Sequence, residues 1–282
     1  MKRSTFIKGL VGLAGAGFVS GLYAWQIEPF WLEFVSLKMP VRNLPDALVG
    51  KTLMQISDMH VGDRFDWQFI IDSFEEAKAF EPDIVVYTGD FINKRGDILE
   101  KEDLKTVFQH AVKGRIATVG VLGNHDYGSG WSEPDIALKV IKVLEAAGLK
   151  ILRNEATEII PGFNILGIDD YWATNCKPEL VMPFHKDDAA NIVLCHNPDV
   201  CDLDVWWGYQ GWILAGHTHG GQVKPPFLPP PILPVKNKKY TAGHIDLGDG
   251  RDLYINRALG HSYQVRFNVR PEITIFTLEK AL

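Results

Sequence analysis

Two pairs of residues with the same spacing frame the chemistry open to this chain. Asp58 and His60 stand two apart, as do His217 and His219. On extended backbone successive side chains alternate, so both members of each pair face one side. Between the pairs lie Gly89-Asp90, Gly123-Asn124-His125-Asp126 and His196. Carboxylate oxygen, amide oxygen and imidazole nitrogen together suit Mn²⁺, Fe²⁺ or Zn²⁺, with no thiolate among them to favour a purely structural zinc site. Gly89, Gly123 and Gly216 allow tight turns that bring backbone close to a metal or a phosphate. A lone Asp-x-His is more often structural, and a Gly-Asp pair after a strand is a common turn. The succession of five clusters in one chain is what points to a metal centre.

These clusters sit where short apolar runs end. Residues 53–56, 84–87, 116–122, 165–168, 192–195 and 212–215 read as buried strands, bounded mostly by Gly, Asp or Asn. A helix is expected from Ser132 as N-cap, with Glu133, Pro134 and Asp135 in its first turn, to a stop at Gly148. Another carries Phe69, Ile70, Phe74 and Ala77 on one face and ends before Pro82. After Gly220 the texture shifts to a proline-rich segment, 225–234, and then to strand-like pieces at 243–247, 252–255 and 273–278 with no evident helix. The expectation is an α/β domain over residues 34–282, with two packed sheets and helices outside. Open α/β sheets bind ligands at the carboxyl ends of their strands, so the clusters should converge in one cleft.

Asp58-x-His60, Gly89-Asp90, Gly123-Asn124-His125-Asp126, His196 and Gly216-His217-Thr218-His219 resemble, in order, the motifs of the calcineurin-like metallophosphoesterase family. The resemblance runs from Leu53 to the C-terminus. It implies a four-layer αββα sandwich that hydrolyses phosphoesters with two divalent metal ions, Mn²⁺ foremost and Fe²⁺ or Zn²⁺ otherwise. Carried over residue by residue, one metal is held by Asp58, His60, Asp90 and His219, and the other by Asp90, Asn124, His196 and His217, so that Asp90 bridges. Two cations held together lower the pKa of a shared water. His125, positioned by Asp126, is implied to stabilise charge or protonate the leaving oxygen rather than to ligate.

Within the family, Gly220-Gly221-Gln222, the N-terminal segment and Pro271-Glu272-Ile273-Thr274 are similar to bacterial membrane-associated or exported phosphodiesterases, a group that includes UDP-2,3-diacylglucosamine hydrolases. This implies a phosphodiester or pyrophosphate substrate that is membrane-associated or lipid-linked. A general exported phosphodiesterase or phosphomonoesterase of envelope substrates and a non-catalytic metal-binding module are the alternatives. Purple acid phosphatases fit less well, because Asn93 stands where they carry an iron-ligating Tyr.

Outside the motifs, Asn256 and Arg257 follow a late strand, where an Arg could clamp a substrate phosphate bidentately. His110, His185, His244 and His261 read as solvated or core histidines. Cys176, Cys195 and Cys201 form no CxxC spacing, which supports neither a zinc cluster nor a disulfide framework. A net charge of -6 with scattered basic residues argues against a nucleic-acid partner.

Residues 9–27 carry no charge and make a run of about 19 residues, enough to span the hydrocarbon core as a helix. Trp25, Phe30 and Trp31 then follow like interfacial aromatics. Residues 1–33 are therefore expected to anchor the chain in a membrane, with a cleaved signal peptide as the rival because Lys2 and Arg3 form a basic n-region. Lys2, Arg3 and Lys8 before the span, against Lys38 and Arg42 after it, favour a catalytic domain outside the cytoplasm. In 225–234, Phe227, Leu228, Ile232 and Leu233 are interleaved with prolines near His219. That loop is either a lipid-contacting patch, with Lys224, Lys236, Lys238 and Lys239 meeting anionic headgroups, or a stiff connector.

Overall fold

Neighbouring residues of the apolar runs serve opposite layers. Leu53, Ile84 and Val86 face the space between two sheets, whereas Met54, Val85 and Tyr87 pack under helices. Both faces are covered, so the runs read as nearly continuous apolar sequence. The computed structural model describes residues 3–62, 65–93, 98–173 and 175–281; Lys2 and Leu282 of the segments named above lie outside them.

In chain order the elements are α1 (Arg3–Gln26), β1 (Glu33–Val41), β2 (Thr52–Ile56), α2 (Gln68–Lys78), β3 (Ile84–Thr88), α3 (Ile98–Phe108), β4 (Ala117–Val121) and α4 (Pro134–Ala146). Then come β5 (Lys150–Ile151), β6 (Glu155–Ile160), β7 (Phe163–Gly167), β8 (Ala190–Leu194), β9 (Gly211–Ala215), β10 (Gly243–Asp246), β11 (Arg251–Ile255) and β12 (Glu272–Lys280). One sheet has the order β1-β12-β2-β3-β4-β5 and the other β10-β11-β9-β8-β7-β6. Strands β2, β3, β4 and β5 run parallel, as do β7, β8, β9 and β11, which brings their carboxyl ends to one edge of the sandwich.

Leu53, Val86 and Val121 meet Ile165, Leu194 and Leu214 between the sheets. Helices α2, α3 and α4 cover the first sheet through Phe74, Phe108 and Leu144. Over the second sheet the outer layer consists of loops and 3₁₀ turns such as Pro178–Leu180, Met182–Phe184 and Pro198–Asp202 rather than long helices. Prolines at 178, 183 and 198 break up those crossovers. Val181, Met182, Val200 and Trp206 still bury Leu166, Val193 and Ile213 there.

Some elements differ from expectation. Helix α4 begins at Pro134 with Glu133, not Ser132, as the residue before it, since the Glu133 carboxylate turns back to accept from the Ser129 N–H at 2.8 Å. Strand β1 lacks a clear apolar alternation because, among the described residues, it pairs only with β12 and carries Lys38 and Pro40, both tolerable on a sheet edge. Helix α1 is the one helix among the described residues long and apolar enough to cross a membrane, and its side chains stand exposed over most of its length.

Candidate metal centre

Each polar cluster follows the last residue of a strand: β2 delivers Asp58 and His60, β3 Asp90, β4 Asn124 and His125, β8 His196, and β9 His217 and His219. The backbone leaves extended geometry abruptly there. Asp58, His60, Asp90, His217 and His219 adopt left-handed φ angles of 55°, 49°, 54°, 70° and 52°. Such conformations cost side-chain-bearing residues roughly 1–2 kcal/mol each and persist where the surroundings enforce them. Two glycines make the close approach possible: a Cβ on Gly123 would collide with the Asp90 carboxylate, and one on Gly216 with Ser57 and Asp58.

The side chains converge. Asp58 accepts from the Ser57 hydroxyl and from the His217 N–H, leaving Oδ1 3.2 Å from His219 Nε2. That nitrogen in turn lies 2.9 Å from His60 Nε2. Asp90 accepts the His125 N–H on Oδ1 and turns Oδ2 toward His196 Nε2 at 3.1 Å and His60 Nε2 at 3.6 Å. His196 donates from Nδ1 to the Thr88 carbonyl, and His217 donates from Nε2 to the Pro234 carbonyl. With both rings neutral their remaining nitrogens would be acceptors, yet they face each other at 3.2 Å. Two lone pairs at that distance need a proton or a cation between them.

Asn124 gives a second sign. It is buried, and among the described residues neither its amide oxygen nor its amide nitrogen has a hydrogen-bond partner. An unpaired buried amide is costly, and a cation beside the oxygen removes part of that cost.

The electrostatics agree with a cation site. Burial opposes charge on Asp90, but His196 and His125 outweigh it and hold the carboxyl well below its usual range. Burial and His196 push His217 down to about 3, and burial with His125 pushes His60 well below the usual imidazole value. Burial also opposes charge on His196, but Asp90 and Asp58 overcome it and raise this imidazole well above its usual value. Ionised carboxylates beside neutral imidazoles are what a divalent cation requires, with one proton on His196 to be displaced.

Residues expected at the site do not all play the expected part. The Asp126 carboxylate accepts from the Phe91, Ile92 and Gly123 N–H groups at 2.8, 3.1 and 2.8 Å, so it ties two loops together. Arg257 does not reach the cleft: its guanidinium is spent on Glu272 and, at 2.9 Å, on Glu33, which fastens the start of β1 to β12. Asn256 is equally committed, donating to Thr274 and accepting from the Ala258 N–H. Neither is free to hold a substrate phosphate. Among the lysines near 225–234, Lys236 bonds to Tyr171 and Lys238 to the Leu233 carbonyl.

Other residues of the cleft carry no motif. Trp172 stands edge-on to His217 at 4.4 Å and stacks on Trp131 at 4.8 Å. Asp169 and Asp170 shape this wall from the end of β7: Asp169 binds Tyr127, Arg153 and Asn175, while Asp170 accepts from the Trp172 and Ala173 N–H groups. An acidic pair directly after a strand was the available signal. With Ile232, Tyr263 and Val265 the tryptophans bound a cleft of about 370 Å³ that opens over Asp90, Asn124 and His219.

A two-sheet sandwich that delivers carboxylates and imidazoles to one cleft defines a metallohydrolase. Residues 51–221 match the family model described as calcineurin-like phosphoesterase. YkuE, an uncharacterized metallophosphoesterase of Bacillus subtilis, is 31% identical over 99% of this chain and 98% of its own length. The Escherichia coli phosphodiesterase YaeI is 28% identical over 91% of this chain and 92% of its own. UDP-2,3-diacylglucosamine pyrophosphatase LpxG of Chlamydia muridarum is 24% identical over 94% and 95%. The chain belongs to the calcineurin-like phosphoesterase family and is a metallophosphoesterase.

Proposed function

We propose that this enzyme is a dinuclear metal-dependent hydrolase of phosphodiester or pyrophosphate bonds in lipid-linked substrates such as UDP-2,3-diacylglucosamine. In this reading residues 9–27 anchor it in a membrane, with the catalytic domain on the extracytoplasmic side. The observation that carries the dinuclear reading is Asp90, whose Oδ2 faces His196 at 3.1 Å and His60 at 3.6 Å, so one carboxylate serves both donor groups. Asp58, His60, Asp90 and His219 would hold one cation, and Asp90, Asn124, His196 and His217 the other. Two such cations, Mn²⁺ foremost, would when bound supply a nucleophilic water near neutral pH and neutralise the phosphoryl oxygens.

The chain's own groups do the rest. The Thr88 and Pro234 carbonyls fix the tautomers and ring planes of His196 and His217. Asp126 holds the loop after β3 against the loop after β4, and so fixes where Asp90 points. His125, half-buried and edge-on to His60 at 4.7 Å, would give a proton to the leaving oxygen.

The apolar wall of Trp131, Trp172, Ile232 and Val265 supports a substrate with an acyl or similarly apolar part beside the phosphoester. LpxG bears the name of such an activity and YaeI that of a phosphodiesterase. The test is turnover by metal-stripped enzyme given Mn²⁺, on bis(p-nitrophenyl) phosphate and on UDP-2,3-diacylglucosamine, with metal content measured alongside. Two metals per chain and faster cleavage of the acylated substrate are expected. One metal at full activity ends the dinuclear reading, and no preference for acyl chains returns the enzyme to a general phosphodiesterase.

A further inference from the structure

The carboxyl end of α1 is built into the catalytic domain. Ala24 is buried, and its carbonyl accepts from the Arg266 N–H at 2.8 Å; the Trp25 carbonyl accepts from the Gln264 side chain at 3.0 Å. Tyr23 meets the Phe267 ring edge-on, and the buried Glu28 carboxylate accepts from the Val269 N–H at 2.6 Å. Arg266 is itself fully buried, and it donates to the Gly260 carbonyl at 2.7 Å. Gly260 then donates to the Asp58 carbonyl at 2.8 Å. Three hydrogen bonds thus connect the end of the apolar helix to the backbone of an expected metal ligand. A flexible tether would show none of them.

The segment that receives the helix is also a wall of the cleft. Tyr263 and Val265 line the opening, and the Gln222 side chain donates to both of their carbonyls, at 2.9 and 3.0 Å. Phe267 and Val223 form a bridge, and Gly221 lies against Pro230 and Ile232 of the proline-rich loop. Around this continuous strip the apolar side chains stand in solvent: Trp25 is 54% exposed, Trp31 50%, Tyr263 65%, Ile232 76% and Phe227 fully so. Arg270 sits over the Trp31 ring at 4.4 Å, at the same end of the helix. Aromatic rings with a nearby cation, gathered where a 24-residue apolar helix enters its domain, have the composition of a membrane–water interface.

We propose that α1 holds the mouth of the metal cleft against the bilayer surface, so that the cleft is reached from the membrane through the strip of Tyr263, Val265 and Ile232. The proposal rests on the anchor in the reading above and adds to it a fixed orientation. The occupant of the exposed strip is the lipid interface itself. An amphiphile then presents its phosphoester to the metals while its chains stay in the bilayer, which lowers the cost of extracting them.

The full-length protein, with Cys176→Ser to remove the half-buried thiol, is labelled with an environment-sensitive fluorophore at Tyr263→Cys, Ile232→Cys or Asp187→Cys and placed in phosphatidylcholine–phosphatidylglycerol vesicles. Asp187 is exposed just before β8, at the other end of the sandwich. Lipids carrying a headgroup-level quencher should quench the first two labels and spare the third. Equal quenching at all three, or none at 263 and 232, overturns the proposal whatever the enzyme hydrolyses. A second protein replaces residues 3–22 by a foreign span and a flexible linker of about 15 residues, long enough to let the domain tumble. It keeps every contact of residues 23–28. Hydrolysis of a vesicle-embedded phosphodiester lipid should fall roughly tenfold, as expected for lost orientation, with bis(p-nitrophenyl) phosphate turnover unchanged. Undiminished lipid hydrolysis would reject the fixed orientation, and failure of the parent protein on every lipid phosphoester while the two rim labels quench would reject the substrate reading alone.

Discussion

The floor of the cleft receives its side chains from the ends of five strands, whereas the rim is assembled from loops around residues 131, 172, 232 and 263. Floor residues are placed by the sheets: parallel neighbours end at one level, and the left-handed residues after them turn the donors inward. Rim residues are placed by contacts between loops distant in sequence, such as the Gln222 bonds to 263 and 265. The floor depends on charge and distance and should fail outright when one donor changes. The rim depends on apolar area and should change which substrate is cleaved more than whether cleavage occurs.

The sharpest way to break this contrast is Asp90→Asn. An amide there keeps the shape but removes the charge shared by both donor groups, so metal content and turnover should both be lost. A variant with normal metal content and activity would sink the dinuclear floor. His125→Ala comes next, with a fall in kcat of roughly 10²- to 10⁴-fold, the usual range for a positioned acid. Metal analysis should show both ions retained, and their loss would move His125 into the ligand set.

Rim substitutions should act more gently. Phe227 and Ile232 are exposed, whereas Leu233 is half-buried, so Phe227→Ser with Ile232→Ser removes apolar surface without opening the core. Each side chain withdrawn from lipid is worth on the order of 1.5–3 kcal/mol when fully buried. Binding to anionic vesicles and cleavage of acylated substrate should therefore weaken about tenfold or more, with a small soluble phosphodiester unaffected. Equal losses on both substrates would show that the loop supports the floor, a real alternative given the Pro234 bond to His217.

The same contrast explains what the sequence revealed. Floor donors were legible because strand ends force them into short motifs, Asp58-x-His60 and His217-x-His219 being the plainest. Their conformations were not legible, since a left-handed φ at Asp58 or Asp90 depends on Gly216 and Gly123 from other strands. Rim residues gave no signal because no local rule spaces Trp131 from Trp172. Arg257 looked like a phosphate clamp because only its place after a strand could be read, while its partners Glu33 and Glu272 lie far off in sequence. Strand β1 was hidden for the same reason: its one neighbour, β12, is at the other end of the chain.

Asp170 lies where floor and rim meet, and the smallest expected effect belongs to it. Its Oδ1 accepts the Trp172 and Ala173 N–H groups, and its Oδ2 has no hydrogen-bond partner among the described residues. Burial, against the pull of His196, raises its carboxyl from the ordinary 3.8 to about 7. In metal-free protein the folded state thus keeps a proton that the unfolded chain releases near pH 4. Stability tied to that proton is complete below the lower value and is lost as the pH rises through about 7. Asp170→Asn keeps an acceptor for both backbone groups and cannot ionise. Its melting temperature in EDTA should therefore gain on the parent protein as the pH is raised from 4 to 8, by several degrees at the upper end. A gap that stays constant across this range would mean that Asp170 is already ionised in the fold, and that the rim loop is held by charge in the same way as the floor.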